Sequence, residues 1–232
     1  MTLLGRILNT YQDCTGCTLS ECRDKVVFGS GNKKAKILII KKTPSELENL
    51  HGDHYTQDLK FLTQCWGQAT KSKKGLYDIS DDLLEKTFIT QAVLCRPTVL
   101  EGEFAGKYRE VKDKELNACR DRLHKTVYAI DPHVIIALGS HTVKTLEGKR
   151  RGKSETKVRL TGKKEELFTI NVDGLYGKVP YSVIPCHDHD QSLRSGDYDY
   201  EAGQVLSIVK AMSNAIDIVK ALEKEDNLER LR

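Results

Sequence analysis

Four cysteines in a two-plus-two layout constrain the fold of this chain more than any other feature. Cys14-Thr15-Gly16-Cys17 stands near the N-terminus. Cys95, within Leu94-Cys95-Arg96-Pro97, follows a strand-like run, and Cys119 lies on a later amphipathic stretch. A close pair plus two distant single thiols suits a four-thiolate site that staples the chain start to the domain body. Structural zinc and iron–sulfur clusters both take four thiolates, and spacing alone does not choose between them. Cys119 also falls on the core-facing side of its helix, where a plain buried thiol is the alternative.

Composition sets the context of that staple. The chain has 232 residues, enough for one α/β domain with a substantial core. No apolar run approaches the ~20 residues that a membrane helix needs. Met1-Thr2-Leu3-Leu4-Gly5-Arg6 lacks a signal-peptide core, so the expectation is a cytoplasmic protein with reduced thiols. Seven cysteines then serve partly as ligands and not as disulfides. Cys22, Cys65 and Cys186 are left over as small buried apolar residues. A formal net charge of +4 is compatible with DNA binding without arguing for it. Basic clusters at 71–74, 149–153 and 163–164 say more, although such clusters are ordinarily solvated surface. Within Leu146-Glu147-Gly148-Lys149-Arg150-Arg151-Gly152-Lys153, the glycines let backbone approach a phosphate. Lys149, Arg150, Arg151 and Lys153 are therefore the best phosphate-contact candidates.

Apolar periods alternate between strand and helix. Runs at 36–40, 88–94, 134–138 and 181–185 read as buried strands. Helical spacing marks 55–66, the face of Leu116, Cys119, Leu123, Val127 and Ile130, the segment 140–146, and a long C-terminal stretch from Val205 to Val219. This order predicts a three-layer α/β/α domain around a mostly parallel four-stranded central sheet. A local hairpin around Asp173-Gly174 is a further option. No repeat or linker divides the chain. Residues 1–232 read as a single domain with an N-terminal cysteine staple, and 223–232 as a charged tail. Ligands of such sheets gather at the carboxyl ends of strands, which singles out 41–50, 91–97, 139–141 and 186–190. Gly29-Ser30-Gly31 precedes its strand and so fails as a dinucleotide loop.

In this order the segments resemble the iron–sulfur branch, the family 4 type, of the uracil-DNA glycosylase superfamily. The family's Cys-x-x-Cys-x-Leu, following Arg and glycine turn correspond to Cys14 through Leu19, Arg23 and 27–32. Its Lys-Cys-Arg-Pro element corresponds to Leu94-Cys95-Arg96-Pro97, its next cysteine to Cys119, and its Pro-x-Val-Ile-x-x-Leu-Gly strand to Pro132 through Gly139. The resemblance covers residues 14–222. It implies that Cys14, Cys17, Cys95 and Cys119 hold a structural 4Fe–4S cluster, with zinc as the alternative, and that DNA is the partner.

The catalytic motifs are less well kept. The family's Gly-Glu-Ala-Pro-Gly corresponds to Lys41-Lys42-Thr43-Pro44-Ser45, which keeps only the proline. Glu48 and Gly52 fit the downstream Glu and Gly. Tyr55 stands where the family has a Phe that stacks on the flipped base. Gln91 stands where its Asn reads the uracil edge, offering the same amide on a longer stem. The family's His-Pro becomes His187-Asp188, followed by His189 and Asp190. The resemblance implies that His187 donates to a base carbonyl oxygen while Asp188 or Asp190 accepts a proton or stabilises a cation. A metal held by these four residues is the weaker idea, because adjacent side chains on an extended segment point opposite ways.

The leading reading is a DNA glycosylase that flips uracil or a modified pyrimidine out of the duplex and excises it. Tyr55 would stack on the base. Gln91 and His187 would hold it, and Asp188, Asp190 or Glu48 would supply a carboxylate. A desolvated Lys42 is the candidate nucleophile. The alternative is a phage-type transferase acting in the host cytoplasm. It would join an amine or amino acid to pyrophosphorylated hydroxymethyluracil in DNA, a thymine hypermodification. Lys41 and Lys42 would face the pyrophosphate, with Asp188 or His189 as general base. The third reading is a catalytically inactive DNA-binding relative. A Lys42→Glu change separates the first two: it restores the family's acidic residue but repels a phosphorylated base. The protein is expected to be monomeric and free of membrane association.

Overall fold

Runs of aliphatic residues form the parallel heart of a six-stranded sheet in the computed structural model, which describes residues 1–52, 57–148, 167–188 and 198–229. The strands are β1 (Gly29–Gly31), β2 (Ile37–Lys41), β3 (Thr87–Gln91), β4 (Val134–Leu138), β5 (Phe168–Gly174) and β6 (Gly177–Cys186), in the order β1-β3-β2-β4-β6-β5. The inner four are parallel, and β1 and β5 add antiparallel edges. The expected four-stranded sheet is thus the inner part of a wider one. β1 is three residues of Gly-Ser-Gly and carries no strand period. β5 pairs with β6 as a hairpin closed at Gly174 and Gly177.

β2, β3 and β4 are buried at every position, as expected for parallel strands covered on both faces. Alternate side chains feed two cores. Ile37, Ile39, Ile89 and Ile136 pack against α3 (Gln57–Ala69), α4 (Leu76–Lys86) and α7 (Tyr198–Glu229) through Leu62, Trp66, Leu83 and Met212. Leu38, Ile40, Ile135 and Val183 pack on the other face. They meet α1 (Leu3–Tyr11), α5 (Asp113–Ile130) and α6 (Ser140–Glu147) through Leu4, Leu123, Val127 and Val143. These are the three expected layers. α4 escapes prediction because only Ile79 and Leu83 of its eleven residues are buried. α7 continues through the described part of the charged tail as far as Glu229. Among the described residues, no helix is long and apolar enough to cross a membrane.

A third, smaller core joins the N-terminal segment to the sheet. Leu19, Val93, Leu94, Cys95, Val111 and Leu116 are buried together, with Cys17, Cys22 and Cys119 packed against them. From β2 the chain goes to β3 on one side, and β4 lies on the other. The carboxyl ends of β2 and β4 therefore flank the switch point where such sheets bind ligands.

Candidate active site at the carboxyl ends of the parallel strands

Lys41 ends β2, and Gln91 is its register partner at the end of β3. The Lys41 side chain is 1% exposed, with Nζ 2.6 Å from Glu48 Oε1 and 2.8 Å from Asp58 Oδ2. Burial works against its charge, but Glu48 and Asp58 outweigh burial and raise its pKa above the ordinary lysine value. Glu48 sits on α2 (Glu46–His51), whose start is fixed by a capping box. Ser45 Oγ accepts from Glu48 N, and Glu48 Oε2 accepts from Ser45 N at 2.9 Å. The same Oε2 accepts from Gln91 Nε2 at 3.3 Å. Gln91 is fully buried and its Oε1 finds no partner among the described residues. Glu48 thereby turns Gln91 so that an acceptor is left for a ligand.

Lys42 serves a different neighbourhood. Its Nζ lies 3.3 Å from Asp188 Oδ2, 3.4 Å from Glu110 Oε2, and 5.7 Å from the Tyr108 ring centroid. Arg96 approaches the same ring at 5.9 Å and reaches Glu46 at 3.2 Å. Asp188 follows β6 and lies across Gly139, the residue after β4. A Cβ at Gly139 would stand 2.9 Å from Asp188 Cβ, and Gly139 has φ of 83°. Glycine is required there on both counts. Burial, then Lys42, push the pKa of nearby His141 below the ordinary histidine value. The His187 N–H donates to Ser207 Oγ of α7 at 3.2 Å, while its Nδ1 has no partner among the described residues. Thr43 Oγ1 is likewise buried and unmatched. Unmatched polar atoms just after β2 and β6 and at the last residue of β3 are what a polar ligand would satisfy.

Sequence reasoning named Lys41, Lys42, Gln91, Glu48, His187 and Asp188, and the structure brings these to one end of the sheet. It missed Asp58, Tyr108 and Glu110; His141 fell within the strand-end segment 139–141 but was given no role of its own. Tyr108 and Glu110 sit in a loop without period, tied back to the chain beyond β3 by a bridge from Thr98 to Tyr108 and by backbone bonds such as Arg109 N–H to Pro97 O at 3.1 Å. Asp58 opens a helix, where an acidic residue is ordinary. Tyr55, His189 and Asp190 lie outside the described residues, as do Lys149, Arg150, Arg151 and Lys153.

All seven cysteines are free thiols. Cys65 and Cys186 belong to the large core, as expected, whereas Cys22 is half-buried at the cysteine corner. Burial pushes the Cys95 thiol up to about 12. Arg23, whose Nη1 donates to Cys95 Sγ at 3.5 Å, opposes that rise, while Cys119 and Cys17 add to it. Burial also raises the Cys17 thiol, with further contributions from Cys119 and Cys14. The four predicted ligands are therefore electrostatic neighbours. Among the described residues, no three His, Cys, Asp or Glu side chains already form a metal-ion site. The donor types nonetheless suit a four-thiolate centre: Cys17, Cys95 and Cys119 share the third core, Cys14 is an electrostatic neighbour of Cys17, and the mutual repulsion of such thiolates is what a bound cationic centre would remove.

Residues 28–190 match the sequence profile of the Uracil DNA glycosylase superfamily. The chain is 30% identical to the type-4 uracil-DNA glycosylase of Saccharolobus solfataricus over 175 residues, covering 75% of this chain and 71% of that protein. It is 30% identical to the type-4 uracil-DNA glycosylase of Thermotoga maritima over 212 residues, covering 91% of this chain and 94% of that one.

Proposed function

Since the chain belongs to the uracil-DNA glycosylase superfamily, in its type-4 branch, we propose that it is a DNA glycosylase that hydrolyses the bond between deoxyribose and a flipped uracil-type pyrimidine. The observation that carries this reading is the orientation of Gln91. With Nε2 committed to Glu48, its buried Oε1 is an acceptor with nothing to accept. Uracil and its C5-modified relatives offer an N3–H donor at the pairing edge. Cytosine offers a bare nitrogen there, which would leave Oε1 unpaired and repelled.

The remaining roles follow from charge. As the C1′–N1 bond breaks, negative charge grows on the base and positive charge on the sugar. In this reading His187 donates to a base oxygen, and Asp188 supplies the carboxylate that faces the sugar and the attacking water. Asp190 is a second carboxylate for that task. Lys42, in ion pairs with Asp188 and Glu110, has no lone pair to offer as a nucleophile. Its role is to hold Asp188. Tyr55 stacks on the extruded base, and Lys149, Arg150, Arg151 and Lys153 contact phosphates. Cys14, Cys17, Cys95 and Cys119 would hold a 4Fe–4S cluster, which supplies a structural staple between the N-terminal turn, the end of β3 and α5. The enzyme acts on DNA in the cytoplasm.

The transferase reading needs uncommitted ammonium groups for a pyrophosphate. Lys41 faces Glu48 and Asp58, and Lys42 faces Glu110 and Asp188. A polyanion would meet more carboxylates than ammonium groups, which favours a neutral base. The deciding experiment offers the protein duplexes carrying uracil, cytosine, hydroxymethyluracil or its pyrophosphate. Free uracil is the expected product. A mass gain on the pyrophosphorylated duplex with added amine would instead establish transfer, and DNA binding with neither product would establish an inactive relative.

A further inference from the structure

Arg122 is a buried cation for which base excision gives no use. It lies on α5 with 2% of its surface exposed. One nitrogen, Nη2, donates to the carbonyl oxygens of Gln91 at 2.8 Å and Ala92 at 2.7 Å. Nε and Nη1 have no partner among the described residues. A buried guanidinium with idle donors is costly, and an apolar side chain would fill the same space without that cost. Something else must take the idle donors. Cys119 stands three residues earlier on the same helix, a spacing that puts two side chains on one face. Burial works against the charge of Arg122, and Cys119 is the first group to offset it, ahead of Tyr11 and Cys95.

The other end of this arginine reaches the base pocket through the backbone. Past β3, the amides of Ala92 and Val93 donate to the carbonyls of Lys41 at 2.7 Å and Lys42 at 3.0 Å. The carbonyls of Gln91 and Ala92 accept from Arg122. The strand end that aims Gln91 is thus held both by the end of β2 with the residue following it and by one guanidinium.

We propose that Arg122 is a positioning residue shared by the cysteine cluster and the base pocket: Nε and Nη1 donate toward the sulfur of Cys119 in the loaded protein, while Nη2 fixes the carbonyls that set Gln91. The proposal rests on the cluster reading given above. Its consequence is that the state of the cluster alters base discrimination. Hydrogen bonds to cluster sulfurs raise the reduction potential, so losing them lowers it. A lysine at this position keeps the charge but not the fork that bonds in two directions.

The test uses anaerobically purified protein with iron content, cluster midpoint potential and the uracil-to-cytosine ratio of kcat/KM measured in parallel. Arg122→Lys is expected to retain iron, to show a lower potential, and to discriminate about tenfold less. Iron retained with an unchanged potential overturns the proposal and leaves the cluster reading standing. No iron in the wild type removes both. Should Arg122→Lys fail to fold, wild-type amide exchange is compared before and after chelation of the cluster. Faster exchange confined to 91–93 and 119–122, with β4 as the unaffected reference, supports the link. Uniform or absent change overturns it.

Discussion

Lys41 and Gln91 end neighbouring strands in register and share one carboxylate. Glu48 takes the Lys41 ammonium on Oε1 at 2.6 Å and the Gln91 amide on Oε2 at 3.3 Å. A charge that looks like a ligand-binding group in sequence is therefore the means by which the amide is aimed. Lys41 neutralises Glu48, Glu48 orients Gln91, and Gln91 presents its acceptor.

Removing the ammonium should be severe. Lys41→Met leaves Glu48 and Asp58 buried without their common partner, a change that typically costs about 3–5 kcal/mol. Urea unfolding at neutral pH measures it. Because the folded-state pKa of Lys41 lies above the ordinary value of 10.5, its stabilisation is complete below that value and is lost only as pH rises through the folded-state pKa. The gap between wild type and variant should hold steady through neutral pH and close only in strong alkali. A gap that closes already below ordinary lysine titration would contradict the buried ion-pair assignment.

Gln91→Ala should erase the preference for uracil over cytosine more than it slows uracil release, since a site built to pair with one edge rejects the other through unpaired groups. Tyr55→Ala should lower single-turnover rates on both bases alike by removing stacking worth roughly 1–3 kcal/mol. Unchanged selectivity in the first variant and unchanged rate in the second would place the pocket elsewhere.

What was legible in the sequence divides along physical lines. β2 and β4 are runs such as Ile-Leu-Ile-Ile and Val-Ile-Ile-Ala-Leu, which only a two-sided core accommodates. The carboxyl-end rule then located Lys41, Gln91 and Asp188 without coordinates. β1 escaped because Gly-Ser-Gly has no side-chain period. The partners Asp58 and Glu110 escaped because each comes from another element and is one acid among 33. Reading Lys41 and Lys42 as a phosphate clamp treated them as a pair. Lys41, the last residue of β2, and Lys42, the first beyond it, instead go to two separate carboxylate nests.

Iron analysis tests the cysteine corner. About four irons per chain are expected in protein prepared without oxygen, with broad absorbance near ~400 nm. Cys95→Ser should lose both metal and solubility, because Cys95 is 5% exposed and packs the third core. One tightly held zinc with no iron would replace the cluster by the zinc alternative.

Replacing Arg150 and Arg151 by Ala should weaken binding to unrelated duplexes about equally. Each lost phosphate contact should flatten the dependence of log affinity on log salt by about 0.9. Titrations at several salt concentrations check this. An unchanged slope would make the basic segment plain surface.

Lys42 gives the sharpest test, because the structure reverses the sign expected from sequence. By motif, Lys42→Glu restores the family's acidic residue, and uracil release should persist or rise. In the fold, that glutamate would be a third carboxylate beside Glu110 and Asp188, now without their cation. Like charges that close destabilise the site and displace the Asp188 carboxylate. Lys42→Gln removes the cation without adding an anion, so it isolates the holding role. We expect Lys42→Gln to release uracil about tenfold more slowly, a loss near 1.4 kcal/mol. Lys42→Glu should be slower still, with a lower urea midpoint. Neither protein should act on the pyrophosphorylated base. Uracil release at the wild-type rate by both variants would show that Asp188 does not depend on Lys42. Amine transfer by the wild type that both substitutions abolish would return Lys42 to the phosphate role.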